Sequence, residues 1–209
     1  SGDRGDAKRS LRVEKGDKYV LFLAYALRSL RPGGRCGIIF PNGMLFGDTG
    51  SHLEVKRRLL AEFDLQAVVL LPKGMFEPYT PNPTCFFVFQ NTGRPTSQVW
   101  FYRLEGDGSS LKKARKFGPQ FRNDFPDLLA KWPTRETEEG RAWLVDADLI
   151  KEKNYNMTLS ALGLVAPEKV EHPEPEEILE SIALKEEKIF DLIREMRELL
   201  QEGNNRGTV

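Results

Sequence analysis

The sequence predicts an α/β fold, on three observations from its first half. Tyr19-Val20-Leu21-Phe22-Leu23-Ala24-Tyr25-Ala26-Leu27 continues to Leu30 with apolar residues at three- and four-residue spacing, as in a helix laid on a sheet. The β-rich run Arg35-Cys36-Gly37-Ile38-Ile39-Phe40-Pro41 is short and mostly apolar, the pattern of a parallel strand covered on both faces. Two further apolar runs, 65–72 and 84–90, lie too close together for a helix to pass between them.

Each element has a local cause. Pro32-Gly33-Gly34 ends the first helix, because proline cannot continue it and glycine permits the reversal. Gly47 to Gly50 reads as a loop. Leu53, Val55, Leu59, Leu60 and Phe63 mark the next helix, with Lys56, Arg57 and Arg58 expected to turn outward. Leu65-Gln66-Ala67-Val68-Val69-Leu70-Leu71-Pro72 and Thr84-Cys85-Phe86-Phe87-Val88-Phe89 then form an expected antiparallel pair across a Pro- and Gly-rich loop. Val99-Trp100-Phe101-Tyr102-Arg103-Leu104 is one more strand, its aromatics alternating between core faces.

Beyond it, Gly106 to Gly118 is a basic loop, and residues 119–165 hold short mixed elements around Trp132, Trp143 and Lys153-Asn154-Tyr155-Asn156-Met157. Pro167 to Pro175 reads as a linker, and 176–201 as a helix stopped by Gly203-Asn204-Asn205. The expected organisation is a flexible lead-in at 1–17, an α/β part at 18–92, a mixed extension at 93–165, and a linker with its helix at 166–209.

Composition narrows the function. The 209 residues include 31 basic and 31 acidic side chains, so a nucleic-acid partner would have to be met by a local patch. The two cysteines, Cys36 and Cys85, lie in strand runs and read as small core residues in a reducing cytoplasm. No signal peptide or apolar run of roughly 20 residues is seen, which argues against export and membrane spanning. Two distant histidines without clustered cysteines give a metal site no support.

Four groups of residues are candidates for function. Phe76, beside Gly74 and Pro78 in the loop between the paired strands, is placed either to project a ring into a cleft or to fold back on the core. Lys73 and Tyr79 share that loop as candidates for contact with DNA. Lys112, Lys113, Arg115 and Lys116, with Arg122, Phe117 and Phe121, have the composition of a phosphate-contact loop and equally of a solvated charged one. In the last helix Ile178, Ile182, Lys185, Ile189, Leu192, Met196 and Leu199 alternate at four- and three-residue spacing, a coiled-coil seam with one polar interruption. That stripe needs a partner helix or a docking surface on its own domain.

Taken in order, Leu30-Arg31-Pro32-Gly33-Gly34-Arg35 with its strand, the run 65–72, Lys73-Gly74-Met75-Phe76-Glu77-Pro78-Tyr79 and Thr84–Phe89 resemble the back half of an adenine-specific DNA methyltransferase. The likeness is greatest to the modification (M) subunit of type I restriction-modification systems. It continues through Val99-Trp100-Phe101-Tyr102 and Asn154-Tyr155-Asn156 and so spans roughly residues 17–160. Glu77-Pro78-Tyr79-Thr80-Pro81-Asn82-Pro83 is more proline-rich than many relatives.

The resemblance implies the C-terminal portion of a Rossmann-like sheet from an S-adenosylmethionine-dependent methyltransferase. It implies a complete cytoplasmic enzyme that methylates adenine in duplex DNA. A specificity (S) subunit would choose the site, a restriction subunit is an optional companion, and the last helix would meet the S subunit or a second M subunit. It also assigns Phe76 to stacking on a base flipped out of the duplex.

The catalytic tetrapeptide, Asn or Asp followed by Pro-Pro and an aromatic, is absent and is expected just upstream of Ser1. The only Gly-x-Gly, Gly106-Asp107-Gly108, lies in a polar stretch where no nucleotide fold is expected. No cofactor binding is therefore expected of this chain alone, and missing sheet neighbours should leave an open edge at 35–41. A non-enzymatic assembly module, or a methyltransferase acting on RNA or protein, remains the rival reading.

Overall fold

The computed structural model describes residues 17–166 and 175–205, with side chains of the last helix described for 179–197. The chain divides into two units, Ser1–Pro167 and Glu168–Val209, each considered by itself. The lead-in at 1–16 and the linker at 167–174 lie outside the described residues.

Helix α1 (Lys18–Ser29) starts at Asp17, whose carboxylate accepts the amide of Tyr19 at 3.2 Å and so satisfies one of the free donors of the first turn. It buries Val20, Leu23, Ala24 and Leu27 and ends where Leu30 turns extended, ahead of Pro32. Strand β1 (Arg35–Pro41) follows, then the single turn α2 (Gly43–Phe46) and helix α3 (Gly50–Glu62). Strands β2 (Asp64–Leu71), β3 (Thr84–Gln90) and β4 (Gln98–Arg103) complete the first half. Helix α4 (Phe125–Lys131), strand β5 (Ala142–Asp146) and helix α5 (Ala147–Glu152) complete the unit.

The five strands form one sheet in the order β1-β3-β2-β4-β5. β3 is antiparallel to β2, as its short loop required, and it is antiparallel to β1 as well. It therefore lies between two strands that run the same way, a placement its own sequence does not announce. β4 runs parallel to β2, and β5 returns antiparallel beside it, so the extension is built into the same sheet.

Alternating side chains divide the core between the two faces of the sheet. Phe40, Val68, Phe87, Phe89, Val99 and Phe101 face α1, α3 and α5, while Ala67, Val69, Trp100, Tyr102 and Ala142 face α4 and the loops. Phe40 meets Phe87 edge-on at 5.6 Å, an arrangement favoured by the ring quadrupoles. Trp100, Phe101 and Tyr102 are all fully buried, as core aromatics should be.

Two expectations for this unit need correction. β1 is not covered on both faces: Cys36, Ile38 and Phe40 turn toward the helices, whereas Arg35, Gly37 and Ile39 are exposed. As the end of the sheet β1 has a neighbour on one side only, and α4 lies over the opposite end. Cys36 is accordingly half-buried, and that burial raises its thiol pKa; Cys85 is fully buried and its thiol is pushed up to about 12.

The second correction concerns Lys56, which points inward and is fully buried. Its ammonium donates to the carbonyl oxygens of Tyr155 at 2.7 Å, Gly47 at 2.8 Å and Leu45 at 3.4 Å. Arg57 and Arg58 instead pair with Glu54 and Glu62 on the helix surface.

In the second unit, helix α6 (Pro175–Asn205) has 31 residues and runs through Gly203 rather than stopping there. A glycine inside a helix costs only about 1 kcal/mol, far less than a proline. Ile182, Ile189, Leu192 and Met196 are exposed along it, while the side chains of Ile178 and Leu199 lie outside the described residues. Among the described residues no helix is long and apolar enough to cross a membrane.

Candidate nucleic-acid interface

The loop that follows β2 stands at the carboxyl end of that strand, the end at which open α/β sheets bind their ligands. It is folded by its own backbone. Glu77 donates to Gly74 O at 3.2 Å, Tyr79 to Phe76 O at 2.8 Å and Thr80 to Phe76 O at 3.1 Å. Gly74 has a φ of +84°, a conformation that side chains rarely adopt, and a Cβ there would run into the carbonyl oxygen of Leu111.

Its two rings are placed differently. Phe76 is half-buried, packed with Met75, Phe86 and Val88 against the second core face. Tyr79 is 92% exposed and is the ring that projects from the loop. The alternation of β2 and β3 could not have separated them, because the loop is irregular.

The basic loop lies directly against this segment. Arg115 donates to Met75 O at 2.6 Å and to the Ser109 hydroxyl at 2.9 Å, and it pairs with the carboxylate of Asp107. Expected among the phosphate contacts, Arg115 is thus committed inside the protein. Arg122 is likewise engaged, by Asp124 and Glu105. Lys73, Lys112, Lys113 and Lys116 are exposed. Three cations remain on the loop, whose Leu111 backbone packs on Gly74, the residue after Lys73.

Asp124, which sequence reasoning passed over, anchors the other end of the loop. It is 4% exposed, and its carboxylate accepts the amides of Glu105 at 2.8 Å and Gly106 at 3.0 Å. Beside it, Tyr102 donates to Asp127 at 2.7 Å; burial first, and then this carboxylate, raise the phenol pKa. Asp127 in turn has its pKa lowered, by its hydrogen bond from Lys131 and then by that from Tyr102.

At the same end of the sheet, the buried oxygens Asn42 Oδ1 and Thr84 Oγ1 have no hydrogen-bond partner among the described residues. A polar sequence run gave no sign of either.

Gly106-Asp107-Gly108 does not fit a cofactor cradle. Gly106 packs on the carbonyl of Arg122, and Asp107 is occupied by Ser109 and Arg115. Among the described residues no group of three or more His, Cys, Asp or Glu is placed to hold a metal.

This architecture, an antiparallel strand slotted between two that run alike, with an aromatic and basic loop at the carboxyl end, defines the C-terminal portion of a Rossmann-like methyltransferase sheet. The chain belongs to the N-6 DNA methylase family, whose model matches residues 6–172. It is 31% identical over 188 residues to the EcoEI methylase subunit of a type I restriction enzyme from Escherichia coli, covering 86% of this chain and 37% of that protein.

Among solved structures it is similar, at 31% identity and a TM-score of 0.58, to a chain from a structure of the complex assembly and conformational transition of the type I R-M system. That match covers 90% of this chain and 40% of the other. A methyltransferase subunit of the type I restriction-modification system from Streptococcus thermophilus shares the fold, with a TM-score of 0.54 at 21% identity over 69% of this chain and 30% of its own. The chain thus spans less than half the length of the relatives it matches.

Proposed function

We propose that this chain is the C-terminal part of the modification subunit of a type I restriction-modification system, a cytoplasmic enzyme that transfers a methyl group from S-adenosylmethionine to the exocyclic amine of adenine in DNA. The observation that carries the reading is the joining, through Arg115, of the Phe76–Tyr79 loop to the loop that bears Lys112, Lys113 and Lys116, in a chain of the N-6 DNA methylase family. An aromatic face beside exposed cations suits a base turned out of a duplex whose phosphates lie alongside. Phe76 is assigned to stack on that base. Lys73, Tyr79, Lys112, Lys113 and Lys116 are assigned to the surrounding DNA.

The open edge of β1, with Ile39 beside it and Phe22 and Tyr25 exposed on α1, suits the addition of the remaining sheet. The cofactor and the catalytic tetrapeptide are assigned to that part. The complete protein, mixed with its specificity subunit, labelled S-adenosylmethionine and target DNA, should yield N6-methyladenine. This chain titrated alone with S-adenosylmethionine should give no saturable heat in a calorimeter. Saturable micromolar binding would reject the division of labour, and labelling of RNA or protein instead of DNA would reject the substrate.

Helix α6 is assigned to assembly with the specificity subunit or with a second modification subunit. Burying each apolar seam residue is worth about 1.5–3 kcal/mol. Replacing Ile182 and Ile189 by aspartate should therefore abolish assembly by light scattering while circular dichroism shows the remaining fold intact. An unchanged particle mass would refute the assignment.

A further inference from the structure

Two loops far apart in sequence, 72–83 and 104–124, share one set of contacts, and Arg115 is at its centre. Its guanidinium has one face on the Phe117 ring, 5.3 Å from the centroid. Its nitrogens reach Asp107, Ser109 and the Met75 carbonyl. Asp107 is held in turn by the Ser109 hydroxyl at 2.7 Å and its amide at 3.0 Å. The Met75 carbonyl immediately precedes Phe76, and Gly74 on its other side is fitted against Leu111 without room for a side chain.

We infer that Arg115 is a positioning residue: through Met75 it holds the 72–83 loop in the shape that presents Phe76 to a nucleotide base. The inference rests on the stacking assignment above. It gives the basic loop a second task besides phosphate contact. The planar guanidinium suits this task, because its fixed fork serves a carboxylate, a hydroxyl and a carbonyl together, which a lysine ammonium on a flexible stem does not.

The test uses the complete enzyme. Arg115→Ala should lower kcat for methylation on the order of ten- to a hundred-fold, the range that misplacement of a substrate-holding group produces, with KM for DNA nearly unchanged. Arg115→Lys should recover little of it. A phosphate contact would behave differently, raising KM and reducing the salt slope of DNA binding by about one. In a double-mutant cycle, Phe76→Ala with Arg115→Ala should be no slower than Phe76→Ala alone, because the two act through one contact. Additive losses, or a change confined to KM and salt slope, would overturn the inference.

Hydrogen exchange separates this failure from failure of the stacking assignment. Arg115→Ala should speed exchange of the Glu77, Tyr79 and Thr80 amides, and unchanged exchange overturns the brace whatever the activity. Faster exchange with Phe76→Ala fully active would leave the brace standing as a loop contact and reject its role in presenting a base.

Discussion

Alanine in place of Phe76 is expected to slow DNA methylation by the complete enzyme roughly five- to 150-fold, which is the loss of about 1–3 kcal/mol of base stacking. The ring is only half-buried against the second core face. Its removal should therefore destabilise the fold by less than the 3–5 kcal/mol or so of a full core Phe→Ala change. Rates measured well below the melting temperature separate the two effects. Tyr79→Ala is the companion experiment, because that ring stands almost wholly in solvent and its loss should leave stability within about 0.5 kcal/mol. A normal rate for Phe76→Ala with a slow Tyr79→Ala would move the stacking role to Tyr79. Normal rates for both would remove this loop from base recognition.

Lys56→Met should destabilise the 17–166 unit strongly. Methionine fills the space of the lysine stem but donates nothing. Leu45 O keeps the Met157 amide at 3.0 Å, whereas Gly47 O and Tyr155 O have no other donor among the described hydrogen bonds. Two orphaned carbonyls cost about 1–3 kcal/mol each. The expected signature is a lower urea midpoint with an unchanged slope.

The same lysine sets a pH dependence. Burial lowers its pKa to about 8, with Asp48 partly opposing, against about 10.4 for a lysine in an unfolded chain. Between these values the unfolded state binds more protons than the folded one, so this contribution to stability rises with pH across that window and is lost as pH falls through 8. The neutral amine retains two N–H groups, enough for the two carbonyls that depend on it. The stability gap between wild type and Lys56→Met should therefore widen from pH 7.5 to pH 10. A gap that stays constant would show that Lys56 titrates as it does in water.

Much of the fold was legible because its causes are local. The three- and four-residue spacing of Val20, Leu23, Ala24 and Leu27 makes a helix wherever an apolar surface is offered, and Pro32 with Gly33 ends it in any context. The loop between β2 and β3 is too short for anything but an antiparallel return, and that is how the strands pair. Trp100, Phe101 and Tyr102 read as core because alternate residues of a strand supply both faces. The order of segments from Pro32 to Phe89 pointed to the N-6 DNA methylase family, to which the chain belongs. Lys73, Tyr79 and the basic run were candidates by residue type, and Phe76 by its place directly after Lys73-Gly74-Met75 in the resemblance to the family.

What the run of residues left undecided depends on groups distant along the chain. Lys56 stands among charges on a helix and looked solvated, yet its ammonium is held by a carbonyl 99 residues away. β3 could have closed the edge of the sheet or entered it, and only its second ladder with β1 puts it inside. Arg115 read as a free cation until the fold brought Met75, 40 residues earlier, within 2.6 Å. Sequence by itself determined elements, local turns and family here, since periodicity and backbone restriction act within a few residues. Which charges are free, which ring projects and which strand lies between two others was decided by the tertiary structure, because desolvation and hydrogen bonding depend on whatever packing brings alongside.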